Sequence, residues 1–104
     1  MKRIGFKMKL KTGYEKEYKI RHDAIWPELK KLLRDSGIHD YIIYLDEETG
    51  ILFGTLKLRT VNSYDRLASD PVMKKWWEYM KDIMDTNRDF SPVSTPLKEV
   101  FYLE

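Results

Sequence analysis

The spacing of apolar residues predicts an α+β fold in which a four-stranded antiparallel sheet carries its helices on one face. Three observations lead there. Several short segments alternate apolar and polar residues with a period of two, two longer segments repeat at helical spacing, and the order is strand, helix, strand, strand, helix, strand. That order is the split βαβ or ferredoxin-like pattern.

Each element has its own warrant. From Arg3 to Leu10 the residues Ile4, Phe6, Met8 and Leu10 fall on every second position, opposite Arg3, Lys7 and Lys9, as in a half-buried strand. Thr12-Gly13 breaks this pattern. Tyr14 to Arg34 then carries Tyr14, Tyr18, His22, Ile25, Leu29 and Leu32 or Leu33 at helical spacing, interrupted by Pro27. Proline lacks a backbone donor and crowds the preceding turn, so two helical pieces are expected, kinked near Ile25-Trp26 and restarting at Pro27. Ser36-Gly37 is a glycine terminator.

Ile38 to Asp46 is rich in β-branched and aromatic residues, with His39, Tyr41, Ile43 and Leu45 assigned to one face and Asp40, Ile42 and Tyr44 to the other. Glu47 to Gly50 reads as a turn, and Ile51 to Leu58 completes a hairpin. Asn62 or Ser63 is expected to cap a helix running to Ala68, and Pro71 to open one with Val72, Met73, Trp76, Trp77, Met80, Ile83 and Met84 as its apolar residues. Asp85 to Pro96 lacks periodicity and reads as a loop; Leu97 to Leu103 alternates and reads as a final strand.

With 104 residues the chain is expected to form one domain, residues 1–104, with no internal repeat or linker. Apolar residues make up 42% and charged residues 35%, the balance of a folded globular protein. The net charge of +2 is well interspersed, which argues against a nucleic-acid partner. There is no cysteine, so neither a disulfide framework nor a thiolate metal site is open to it. The N-terminal segment lacks the apolar run of a signal peptide or membrane span, and a cytoplasmic location with no membrane contact is the expectation. A sheet with Ile, Phe, Tyr and Leu on both faces cannot leave one of them in water cheaply, so a homodimer covering the second face is expected.

Of the two histidines, His22 lies four residues after Tyr18 and four before Trp26, so a tyrosine, an imidazole and, if the kink allows, an indole share one side of the helix. Imidazole suits proton transfer near neutral pH, although most helix-face histidines only hydrogen-bond to their neighbours. His39 and Tyr41, two residues apart, are expected side by side over the sheet. Trp76 and Trp77 point about a hundred degrees apart on a helix, and on spacing alone both read as core. Asp23, Asp40, Asp46 and Asp89 sit near element ends, where capping or solvation explains them; no metal-ligand spacing is present.

Four segments taken together resemble one family over nearly the whole chain. They are His22-Asp23-Ala24-Ile25-Trp26-Pro27-Glu28-Leu29, Tyr41-Ile42-Ile43-Tyr44-Leu45-Asp46, Trp76-Trp77-Glu78-Tyr79-Met80, and Ser91-Pro92-Val93-Ser94 with Glu99-Val100-Phe101-Tyr102-Leu103. In this order they are similar to the L-rhamnose mutarotases. The resemblance implies a cofactor-free homodimer of the dimeric α/β-barrel type that interconverts the α and β anomers of L-rhamnopyranose. It also implies that His22 is the proton donor and that Tyr18, Tyr41, Trp76 and Trp77 bind the sugar. Arg88 stands where many relatives are expected to carry proline. A cofactor-independent monooxygenase and a sugar-binding module without turnover are the competing expectations for this fold.

Overall fold

The period-two segments pair as their alternation requires. A computed structural model describes residues 1–59 and 61–104, apart from the side chains of Val61 and Asn62. Its elements are β1 (Lys2–Lys9), α1 (Glu15–Asp23), α2 (Pro27–Asp35), β2 (Ile38–Asp46), β3 (Ile51–Leu58), α3 (Val61–Asp65), α4 (Pro71–Met80) and β4 (Thr95–Pro96), with a 3₁₀ turn at Leu67–Ser69. The sheet order is β2-β3-β1-β4, every pair antiparallel, which is the ferredoxin-like arrangement.

Register decides which side chains meet. One set of cross-strand rows, Ile43–Gly54–Phe6 and Leu45–Leu52–Met8, faces the helices; the intervening rows, Tyr44–Phe53–Lys7 and Ile42–Thr55–Gly5, face outward. Met8, Leu10 and Leu52 form the core with Tyr18 of α1, Leu29 of α2 and Met73, Trp76 and Met80 of α4. A smaller cluster of Ile38, Leu56 and Leu58 continues it toward the 3₁₀ turn.

The helix ends follow their local chemistry. Trp26 is extended and Pro27 takes the first position of α2, so the long helical segment divides where expected. Gly37 terminates α2 with φ at 84°. The Asp70 carboxylate accepts from the Val72 N–H at 2.9 Å and caps α4. After α4 the chain turns back, burying Ile83 and Met84 against β1 through the Lys11 N–H to Ile83 carbonyl bond of 2.9 Å.

Besides the end of α4 at Met80, short of the Ile83 and Met84 expected on it, three expectations need correction. The helix expected to run to Ala68 stops at Asp65 and continues as the 3₁₀ turn. Ser63 lies inside that helix rather than at its cap, and the Asn62 side chain lies outside the described residues. The final strand is only Thr95–Pro96, paired with Phe6 and Lys7, and Leu97 adds one bond to the Gly5 carbonyl. Beyond it, Val100 to Leu103 carry strand-like alternation but have no ladder partner among the described residues, and they are exposed. Alternation reports two distinct faces; it does not supply a neighbouring strand.

The third correction concerns β2. Its ladder with β3 shifts between His39 and Ile42, and Asp40 adopts φ of 49°, a left-handed value that aspartate tolerates better than most residues. This β-bulge adds one residue and inverts the parity. His39 therefore stands opposite Lys57 on the outer face, beside Arg59, while Tyr41 turns inward to Phe6.

Candidate active site

Between the sheet and the helices lies a cavity of about 1100 Å³. All five residues singled out for a sugar site, Tyr18, His22, Tyr41, Trp76 and Trp77, line it. They come from α1, β2 and α4, three elements well separated along the chain.

The helical repeat places Tyr18 and His22 one turn apart, and their rings stack with centroids 4.2 Å apart at 26°. His22 Nδ1 lies 3.0 Å from the Tyr18 carbonyl oxygen. A carbonyl only accepts, so the proton sits on Nδ1 and Nε2 is the nitrogen free to exchange one. The Trp76 indole closes the other side edge-on at 5.4 Å. Burial pushes the His22 pKa below 6.5, against smaller upward effects of the Tyr18 carbonyl and Asp23. The resting ring is thus neutral near pH 7.

Trp26 does not join the imidazole. The break after Asp23 turns it away, and its indole meets Trp76 at 5.0 Å and Tyr79 at 5.5 Å. Trp76 is 6% exposed, so it serves the core and the cavity together; Trp77 is half-buried and lines the cavity. The spacing-based reading of both as core therefore holds in part: Trp76 is buried in the core cluster and Trp77 packs half-buried against it, and both also line the cavity.

The two tyrosine hydroxyls are held neutral. Burial raises the pKa of Tyr18, with Tyr41 adding to the effect. Burial raises that of Tyr41 as well, with Tyr64 adding to it. Although 39% of the Tyr41 surface is accessible, the residue lines the cavity, with its ring edge-on to Phe6. Neutral phenols both donate and accept, which suits them to sugar hydroxyls.

The carboxylates scatter. Asp23 pairs with Lys19, Asp40 with Lys57, and Asp46 accepts from the Glu48 N–H in the hairpin turn. Asp89 accepts from the Ser91 hydroxyl and backbone N–H, which lower its pKa; Ser91 lines the cavity and Asp89 stands exposed beyond it. Among the described residues no group of three or more His, Asp or Glu side chains converges as metal ligands would.

Sequence reasoning missed Phe6, Tyr64 and Arg21. Phe6 and Tyr64 line the cavity with Tyr41, and Arg21 ties α1 to the end of α4. Only Phe6 had a visible sign, since an isolated glycine in its partner strand signals a close approach.

Known proteins are similar in sequence and in fold. The family model described as L-rhamnose mutarotase matches residues 3–103. The L-rhamnose mutarotase of Flavobacterium johnsoniae is 60% identical over 102 residues, covering 98% of this chain and 95% of that protein. That of Phocaeicola vulgatus is 54% identical over the full length of both. The crystal structure of an L-rhamnose mutarotase from Formosa agariphila superposes with a TM-score of 0.94 at 51% identity, covering both chains completely. The structure of Rv0793 from Mycobacterium tuberculosis, at 12% identity and a TM-score of 0.62, shares the fold alone.

Proposed function

Because this chain belongs to the L-rhamnose mutarotase family, we propose that it is a cofactor-independent isomerase of rhamnose metabolism. It interconverts the α and β anomers of L-rhamnopyranose, with His22 as the proton-transfer residue and Tyr18, Tyr41, Trp76 and Trp77 as the sugar-binding residues. The observation that carries the site reading is the His22 ring itself, fixed by the Tyr18 carbonyl at Nδ1 and walled by two aromatic rings in a cavity wide enough for a pyranose.

The chemistry needs little more. Nε2 of neutral His22 takes the proton of the anomeric hydroxyl as the bond between C1 and the ring oxygen breaks and the C1 carbonyl forms. The imidazolium so made donates its proton to the ring oxygen, giving the open aldehyde. Rotation about C1–C2 and the reverse steps close the ring on its other face. Positioned acid–base catalysis contributes roughly 10²–10⁴-fold, enough for a reaction that already proceeds unaided. The neutral hydroxyls of Tyr18 and Tyr41 hold the sugar oxygens, and the indoles of Trp76 and Trp77 take the apolar face of the ring.

The rate of α–β exchange of L-rhamnose at equilibrium, read by NMR saturation transfer, tests this. Wild type should accelerate exchange and His22→Ala should lose roughly 10²–10⁴-fold of that acceleration. A well-folded wild type without acceleration would sink the proposal.

The proposal includes a homodimer, formed through the outer sheet face, and a cytoplasmic setting for a single domain of residues 1–104. Ile42 and Tyr44 are exposed on that face, Phe53 is half-buried beside them, and the apolar tail Val100 to Leu103 is exposed near it, with Arg3 over the Tyr102 ring. A second copy covers both at once. Among the described residues no helix is long and apolar enough to cross a membrane.

A further inference from the structure

Gly54 sits in the middle of β3, on the inner row between Phe6 of β1 and Ile43 of β2. No turn or positive φ calls for glycine at this position. Space does: a Cβ built on Gly54 would lie 2.4, 2.6 and 3.0 Å from three atoms of the Phe6 ring. The ring therefore lies directly against the bare backbone of the neighbouring strand.

A glycine inside a central strand weakens it, and the same volume could be filled by a branched residue at 54 with a smaller one at 6. The arrangement found instead keeps an aromatic ring low against the sheet, where it lines the cavity and meets Tyr41 edge-on with centroids 6.1 Å apart at 70°. Tyr41 has particular need of a side support. It follows directly on the bulge at Asp40, where the regular ladder that would fix its direction is interrupted. Its side chain must nevertheless stay directed into the cavity that it lines with Tyr18 and Tyr64.

We propose that Gly54 and Phe6 are positioning residues for Tyr41: the absent side chain at 54 seats the Phe6 ring, and the ring sets the direction of the sugar-facing hydroxyl. This rests on the reading of Tyr41 as a sugar-binding residue. Neither Gly54 nor Phe6 takes part in proton transfer, so their effect falls on KM and leaves kcat nearly unchanged.

The test is a set of variants assayed by saturation of the L-rhamnose exchange rate. Tyr41→Phe, which keeps the ring and removes the hydroxyl, should raise KM about tenfold. Phe6→Leu should raise KM about fivefold with kcat within about twofold, and in the Tyr41→Phe background it should add nothing, because the group it positions is gone. Gly54→Ala should raise KM about tenfold, and adding Phe6→Leu to it should bring KM back to the value of Phe6→Leu alone. An undiminished Phe6→Leu effect in the Tyr41→Phe background would show that the ring acts by general packing and would overturn the proposal. So would a double variant no better than Gly54→Ala. If Gly54→Ala does not fold, the Phe6 and Tyr41 cycle decides alone. An unchanged KM for Tyr41→Phe removes the site reading itself and the positioning role with it.

Discussion

Arg21 and Asp82, 61 positions apart in the chain, form a two-pronged ion pair with N···O distances of 2.9 and 3.1 Å. The same guanidinium donates to Glu17 and to the Tyr79 carbonyl, each at 2.9 Å, and lies 4.6 Å from the Tyr79 ring. It thus satisfies a carbonyl left open at the end of α4 and fastens α4 to α1 one residue before His22. The Arg21 side chain is only 11% exposed, so removing it strands partners as well as losing contacts. Arg21→Ala should lower stability by about 2 kcal/mol in urea unfolding. Hydrogen bonding to Arg21 lowers the Asp82 pKa from 3.8. A depressed folded pKa means that this stability is present above 3.8 and lost as pH falls below it. The difference between wild type and Asp82→Asn should therefore shrink in acid, and a difference that stays constant from pH 7 to pH 2 would contradict the pairing.

That link could not be read from the sequence, whereas the helices it joins could. Pro27 marks the break between α1 and α2, and the three- and four-residue spacings mark the faces of Tyr18, His22, Leu29, Met73 and Trp76, because both signals are local. The bulge at Asp40 was not read, since its one sign is Asp40 itself, a poor strand former that tolerates a left-handed φ, and one extra residue changes parity without changing the strand propensity of Tyr41 to Leu45. Its consequence was large for His39, which was expected beside Tyr41 and stands on the opposite face. Tyr41 itself was placed correctly, because the part of the strand after the bulge keeps its own alternation. The Leu97 to Leu103 pattern was misleading for a related reason: a strand exists only through a partner, and pairing over long distances has no local signature.

His22 supplies a pH dependence with a definite sign. Burial holds its pKa below 6.5, so the neutral ring dominates at neutral pH. If Nε2 must begin as a base, kcat/KM for rhamnose exchange should be level above about pH 7 and fall as pH drops through the folded pKa. Stability follows the same direction. The unfolded chain binds the proton more readily, so the protein should lose stability as pH falls below 6.5, and His22→Gln should remove that part of the dependence. A kcat/KM that rises in acid would mean that the imidazolium is the starting form.

The adjacent tryptophans should separate stability from binding. Trp76 is 6% exposed and touches His22, Trp26 and Tyr79, so Trp76→Ala leaves a cavity under the site. It should cost about 3–5 kcal/mol, a large share of a small protein's stability, visible as a lowered melting temperature. Trp77 is half-buried and lines the cavity, so Trp77→Ala should raise KM about tenfold with a stability loss near 1 kcal/mol. Equal losses of stability in the two variants would place both residues in the core alone.

The outer sheet face should decide the oligomeric state. Tyr44 and Phe53 are cross-strand neighbours on that face, and Lys7 continues their row, so charge placed there meets further positive charge. Tyr44→Lys with Phe53→Lys should shift the mass by light scattering from a dimer to the 12.5 kDa monomer, and deletion of residues 98–104 should weaken the dimer as well. His22, Tyr18, Tyr41, Trp76 and Trp77 all belong to one chain and face the opposite side of the sheet, so the monomer should retain exchange activity to within about threefold. A wild type that runs as a monomer at all concentrations would remove the dimer from the proposal. A monomeric variant that loses all activity would show that the partner copy completes the cavity.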